Sequence, residues 1–258
     1  MIPMWHRLRA LAEQLQVIFR YRVLASFTDP KAMYQFVNLI VRFHYKRRPS
    51  ELPDLPLAEI LPRTAAVSGV TLLFPAPEFL SIETDELWYL CTIARALQPS
   101  CVFEFGTFDG FTTVHLAANT PESCWVITMD KQAGEYRFRW LRRFTHSIEV
   151  GGRFRRHPLG ARITLITADS TAFDFSVYRS SVGLVFIDAD HGYEPTKKDT
   201  ENALMMLKPG GVIVWHDCFS PGVSRFLREF SAAHRVARIA GTTLVCYLKD
   251  EAGVRLDV

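Results

Sequence analysis

The chain has 258 residues, is 48% hydrophobic and 22% charged, and so has the length and balance of one soluble α/β domain with an appendage. Five dispersed cysteines (Cys91, Cys101, Cys124, Cys218, Cys246) without a Cys-x-x-Cys pair argue against a disulfide framework or cysteine zinc site, and for a reducing compartment. The net charge of +3 hides an asymmetry: residues 1–50 hold nine Lys/Arg against two acids, and the remainder 21 bases against 25 acids.

Residues 1–7 show no signal-peptide core, and no window reaches the roughly 18 apolar residues of a membrane span. A cytoplasmic location is expected. Trp5, Leu8, Leu11, Leu15, Ile18, Phe19 and Val23 recur at helical spacing with arginines between them, and Asp29-Pro30 stops the pattern. A second helical pattern, Met33, Phe36, Val37, Ile40 and Val41, ends at Lys46-Arg47-Arg48-Pro49. Two such basic amphipathic helices could lie on an anionic membrane surface, pack on a second subunit, or cap their own domain. Pro49, Pro53, Pro56 and Pro62 read as a linker or extended arm, so the domain boundary is placed between residues 63 and 64.

From residue 81 the pattern is regular. Ser81 opens a plausible capped start for a helix over 86–97. Strand 101–105, helix 112–119, strand 125–129 and helix 131–144 follow, then strands 162–168 and 183–188. Pro195 predicts the start of a helix over 195–207, and Lys208-Pro209-Gly210-Gly211 a stop and turn. Strand 211–216, helix 221–232 and two runs around Gly241, 236–240 and 242–248, complete the chain.

Alternating strands and helices require a parallel sheet covered on both faces. The last two runs are too close for a crossover, so they must pair as an antiparallel hairpin. The expected fold is a doubly wound, mostly parallel, seven-stranded Rossmann-like sheet ending in that hairpin, with an N-terminal helical extension. Ligands in such sheets sit beyond the carboxyl ends of the strands. Every polar cluster here follows a strand: Glu104 to Gly110, Asp130, Asp169-Ser170, Asp188 to His191, and His216-Asp217.

In residues 102–113 an apolar run ends in a turn with Gly106 and Gly110 and opens into a helix, and Asp130 ends the next strand twenty residues on. Glycines let a backbone approach a ligand, helix-end N–H groups face it, and a carboxylate can accept from two ribose hydroxyls. The spacing Glu-x-Gly-x-x-x-Gly differs from the dinucleotide pattern and resembles motif I of class I S-adenosylmethionine (SAM)-dependent methyltransferases. The resemblance implies SAM as cofactor. Glu104, Gly106 and Gly110 would then serve its methionine end, Asp130 its ribose, and Asp169 and Ser170 its adenine, with Thr107, Phe108 and Thr112 also binding the cofactor. The plainer alternative for Asp130 and Asp169 is helix N-capping. Phe108 or Phe111 could flank the cofactor or belong to the core.

Residues 186–193, with Asp188, Asp190 and His191, and residues 207–217, ending in His216-Asp217, resemble the small-molecule O-methyltransferases of catechol, caffeoyl-CoA and macrolide-sugar type. The resemblance covers residues 80–250. It implies that Asp188 and Asp217 bind one divalent cation, usually magnesium, and that His191 is the general base, with Asp188 also facing cofactor and reaction. Where those families carry Glu before the second acid or Asn after it, this chain has His216 and Cys218. His216 could ligate a softer ion, act as a second base, or be buried in its strand. Asp190 is a weaker third ligand, and Asp188 could equally serve without metal.

Tyr193 and Lys197 mimic the base pair of short-chain reductases, but Pro195 is expected to start the helix between them. Arg137, Arg139, Arg142, Arg143, Arg153, Arg155 and Arg156 read as a solvated basic face rather than a nucleic-acid surface. The expected activity is O-methylation of a small hydroxylated acceptor, a sugar or a catechol-like phenol, with no nucleic-acid partner and a possible membrane or homo-oligomer contact through residues 1–48. The alternative is a SAM-binding protein without transfer activity, recruited through its basic N-terminal helices.

Overall fold

The computed structural model describes residues 50–74, 81–131 and 149–250, together with Ile40 and Lys46, both helical. The helices expected over 4–27 and 131–144, and most of the second basic helix, lie outside these residues. The chain divides into two units, Met1–Arg48 and Pro49–Val258.

Strand residues of the second unit alternate between two apolar layers, as a pleated strand covered on both faces must. Val102, Val126, Leu184, Phe186, Val212 and Val214 join one cluster with Leu87, Leu90 and Leu116. Phe103, Phe105, Ile127, Val185, Ile187, Ile213 and Trp215 join the other with Met206, Phe226 and Leu227. In chain order the described elements are β1 (Asp54–Leu55), α1 (Leu57–Ile60), α2 (Thr84–Leu97), β2 (Cys101–Phe105), α3 (Phe111–Ala118), β3 (Trp125–Asp130), α4 (Gly152–Arg155), β4 (Ile163–Thr167), β5 (Val182–Ile187), α5 (Tyr193–Met206), β6 (Leu207–Trp215), α6 (Pro221–Phe230), β7 (Val236–Ile239) and β8 (Val245–Leu248).

The described strands form one sheet in the order β1-β7-β8-β6-β5-β2-β3-β4. All pairs are parallel except those of β8 with β6 and β7, the expected hairpin. The sheet has eight strands rather than seven because the proline-rich arm adds β1, parallel to β7. Asp54 anchors this arm: its carboxylate accepts from Arg238 Nε at 2.9 Å and Nη2 at 2.7 Å, and Arg238 is buried.

Three local expectations change. Ser81 does not cap α2, whose N-cap is Glu83 with no side-chain cap bond. Lys208-Pro209-Gly210-Gly211 is the irregular beginning of β6, where the register with β5 shifts, and not a turn. Helix α5 starts at Tyr193, two residues before Pro195. First-turn N–H groups have no intrahelical acceptor, so a proline there costs nothing. Tyr193 and Lys197 therefore share a helix, but the Tyr193 hydroxyl is engaged by Glu229 and its ring lies under Arg225 at 4.4 Å. Among the described residues no helix is long and apolar enough to cross a membrane.

Candidate active site

β2 and β5 are neighbours in register, Phe105 beside Ile187, so the chain leaves both strands at the same place. The Asp188 N–H donates to Phe105 O at 2.9 Å, and the His216 N–H to Ile187 O at 3.1 Å, carrying the ladder one residue past each strand. Gly106 sits against this junction at φ +95°, and a Cβ on it would lie 2.1 Å from the Asp188 carbonyl oxygen. Only glycine fits there. Gly110, at φ +86°, N-caps α3 and faces the Phe154 ring at a distance that leaves no room for a Cβ.

Between the glycines the backbone is held rather than loose. Phe108 adopts φ +49°, a conformation costing a bulky residue roughly 1–2 kcal/mol. Its N–H donates to Asp130 Oδ2 at 2.7 Å and its carbonyl accepts from Gly151 N–H at 2.9 Å. Asp130 Oδ2 also accepts from Thr107 N–H at 3.0 Å, and Oδ1 from Lys131 N–H at 2.8 Å. Burial pushes the Asp130 carboxyl up from the ordinary aspartate range, against these three amide bonds. The residue expected to grip a ribose thus first ties the glycine turn to β3, with one lone pair left on Oδ1. Asp109 continues the turn, pairing with Arg153 Nε at 2.6 Å, whose guanidinium lies over Phe74 and Phe111. Arg153 is therefore a half-buried strut and not part of a solvated face. Phe111 is core.

Glu104 lies beneath the turn instead of on its surface. It is wholly buried, and its Oε2 accepts from the hydroxyls of Thr113 and, at 2.7 Å, Thr128. Thr128 in turn meets the Thr107 hydroxyl at 2.7 Å. Burial pushes the Glu104 carboxyl up to about 8, so it is largely neutral near pH 7. Its Oε1 is buried with no partner among the described residues. Thr112 is the second residue of α3 and half-buried.

At the ends of β5 and β6, one ligand atom each from Asp188, His191 and Asp217 falls within 4.8 Å of the others. His191 Nε2 is 3.5 Å from Asp188 Oδ1 and 3.7 Å from Asp217 Oδ2. Burial works against the His191 charge, but the Asp188 and then the Asp217 carboxylate outweigh it and raise its pKa. Burial also opposes the Asp188 charge, yet His216 and His191 hold that carboxyl far below the usual range. Asp217 leaves β6 at φ +49°, which aspartate tolerates. His216 is not in this group. Its Nδ1 meets Asp188 Oδ1 at 3.0 Å and its Nε2 meets Glu86 Oε2 at 3.1 Å, so both ring nitrogens are committed. Despite burial, the Asp188 and Asp217 carboxylates raise its pKa well above the ordinary imidazole value.

Residues 103–218, which hold both the glycine turn and this cluster, match the family model described as a methyltransferase domain. Three solved structures share the fold of this chain. Cofactor-bound Rv0187 from MTB is 19% identical with a TM-score of 0.52, over 76% of this chain and 89% of that one. The O-methyltransferase TomG from Streptomyces achromogenes, involved in tomaymycin synthesis and solved with SAM, is 18% identical at 0.51, over 66% and 82%. An O-methyltransferase from Bacillus cereus, in complex with SAH, is 18% identical at 0.50, over 84% and 97%. No curated protein sequence matches the chain significantly.

The chain places its remaining expected residues around the same strand ends. Asp169 forms a turn, accepting from the Thr171 N–H and hydroxyl at 2.9 and 2.7 Å, and pairs with Lys131 at 3.3 Å. The Thr171 N–H and hydroxyl hold its carboxyl below the ordinary value. Ser170 offers its carbonyl to Asn202 Nδ2 at 3.2 Å. Asp190 accepts from the Gly192 N–H at 2.7 Å and shapes the His191 loop rather than joining the cluster.

Two contributors escaped the sequence reading. Glu86 belongs to the buried stripe of α2, in step with Leu90 and Ile93, and an acid on that stripe was the available signal. Gly222 packs against the loop bearing His191, where its Cβ would lie 2.4 Å from the His191 carbonyl oxygen. No local pattern announces that contact.

Proposed function

We propose that this domain is a SAM-dependent O-methyltransferase acting on a hydroxyl of a small molecule, a sugar or a catechol-like phenol, with His191 as the base. The observation that carries the reading is the meeting of Asp188, His191 and Asp217 beside a glycine turn whose Gly106 touches Asp188 itself. The turn fits a cofactor with no phosphate. Its Thr107 and Phe108 amides are consumed by Asp130, the strained Phe108 is fixed in place, and one lone pair of Asp130 Oδ1 remains at the end of β3 for a ribose hydroxyl.

SAM brings a sulfonium that carries the reactive methyl group, so the protein's task is alignment and proton removal. Asp188 and Asp217 would hold a divalent cation, which when bound would bring together two neighbouring acceptor oxygens and ease ionisation of one. The donor set fits: the Asp188 and Asp217 carboxylates converge, and hard oxygen donors suit magnesium or manganese. His191 Nε2 would take the proton from the acceptor hydroxyl. Its exposed side chain, 41% accessible, leaves room for that approach. The hydroxyl oxygen then forms its bond to the methyl carbon as the carbon–sulfur bond breaks, leaving S-adenosylhomocysteine.

The test is His191→Ala in the full chain. SAH affinity by calorimetry should stay within about twofold, while methyl transfer to a panel of hydroxylated acceptors falls by about 10²–10⁴. Unchanged transfer removes His191 from the reaction. Tight SAH binding by the wild type with no transfer to any acceptor would favour the non-catalytic reading, with recruitment through residues 1–48.

A further inference from the structure

We infer that Glu86 is a positioning residue for the proposed methyl transfer, holding Asp188 in place through His216; the inference rests on that proposed reaction for its activity arm alone. Strand alternation decides the geometry. Asp188 and His216 fall on the α2 and α3 side of the sheet, in step with Phe186 and Val214 of the same apolar layer. His216 therefore points away from the open cleft and into the α2 layer.

Glu86 waits there, wholly buried on the first turn of α2 among Leu87, Leu90 and Ile93. A buried carboxylate persists only where it is fully bonded. Glu86 Oε1 accepts from the Thr243 N–H at 2.6 Å, in the connection between β7 and β8. Oε2 faces His216 Nε2 at 3.1 Å. The opposite ring nitrogen faces Asp188 Oδ1 at 3.0 Å, the same oxygen that lies 3.5 Å from His191 Nε2. One rigid line thus runs from the hairpin through α2 and β6 to the carboxylate at the reacting end of β5.

Outer partners that fix ring orientation are a general feature of working imidazole and carboxylate sites. The distinctive point is that His216 occupies the place next to the second strand-end acid, yet is turned inward and locked by a carboxylate 130 residues away. Without Glu86 the imidazole has no acceptor for Nε2 inside an apolar layer. Its ring would tilt and take Asp188 with it.

The test uses Glu86→Leu, which deletes the anchor, and Glu86→Gln, which keeps an acceptor for Thr243 and a polar partner for His216. Glu86→Leu should lower kcat at least tenfold, with SAH affinity within twofold and acceptor KM within about threefold. Glu86→Gln should recover most of that loss. A second arm needs no turnover: a denaturation double-mutant cycle between Glu86→Ala and Asp188→Asn should show a coupling of at least fivefold in the unfolding constant. Should Glu86→Leu fail to fold, Glu86→Gln and the cycle carry the test. Additive stability losses, or a kcat that falls only with the folded fraction, overturn the inference. Absence of SAH binding by the wild type retires the reaction and leaves the coupling to decide.

Discussion

Replacing Gly222 by alanine tests the site at its most constrained contact. Gly222 is the second residue of α6 and has ordinary helical backbone, so alanine there adds no torsional strain and should favour the helix by up to roughly 0.5–1 kcal/mol. The obstacle is space alone. The new methyl would lie 2.4 Å from the His191 carbonyl oxygen, 2.5 Å from Tyr193 N and 2.6 Å from Gly192 C, all backbone atoms that no rotamer change can move. To regain the 3.0 Å that real Cβ contacts respect, the His191 carbonyl must retreat by at least 0.6 Å. A misplacement of about 1 Å can cost on the order of 10²-fold in rate, so a shift of this size should cost about tenfold, or about 1.4 kcal/mol of barrier. Overpacking costs about 1–3 kcal/mol of stability, and the helix gain offsets part of it. The melting temperature should therefore fall by no more than about 8 °C. SAH binding, proposed at the ends of β2, β3 and β4, should be unchanged. Calorimetry, melting and transfer of labelled methyl on one preparation read all three quantities. Wild-type turnover in Gly222→Ala, with a normal melting temperature, would refute the placement of the His191 loop and of the base proposed on it.

Chelation should abolish transfer and added magnesium or manganese restore it, with SAH affinity unmoved; full activity in EDTA would leave Asp188 and Asp217 acting without an ion. Because Asp188 and Asp217 raise the His191 pKa, its imidazole NMR signal in the metal-free protein should titrate through a midpoint above the ordinary 6.5, and a midpoint at or below 6.5 would contradict that pairing. Glu104, raised to about 8, keeps its proton on folding where the unfolded chain, near 4.5, has lost it. The folded state therefore binds more protons between those values, and stability falls as pH rises, by at most about 1.4 kcal/mol per pH unit. Glu104→Gln should flatten that slope in urea unfolding from pH 5 to 8, and parallel curves would show that Glu104 is ionised throughout. Asp54→Ala should cost about 1.5–3 kcal/mol by stripping two charge-assisted bonds from buried Arg238, and amide exchange should quicken first at Leu55 and Ala240.

The alternating apolar runs, the short link around Gly241 and the polar residue after each strand were legible because they are local. A strand's two faces are set by residues two apart, and a hairpin by the few residues between its arms. Thus strand 101–105 matches β2, and Asp188, His191 and Asp217 converge as the strand order requires. The edge strand β1 was not legible, since two residues between prolines carry no period and its partner Arg238 is 184 positions away. Nor were the amides that occupy Asp130, the burial of Glu104, or the turning of His216 toward Glu86. Those depend on which side chains topology presses into one layer, and an acid on a helix stripe becomes a partner only when a particular strand end arrives beneath it. Residue order alone decided the layers of this domain and the edge where chemistry gathers. Only three-dimensional packing decided which of those polar groups face the cleft and which hold the others still, because burial makes every unpaired charge costly and selects its neighbours across the chain.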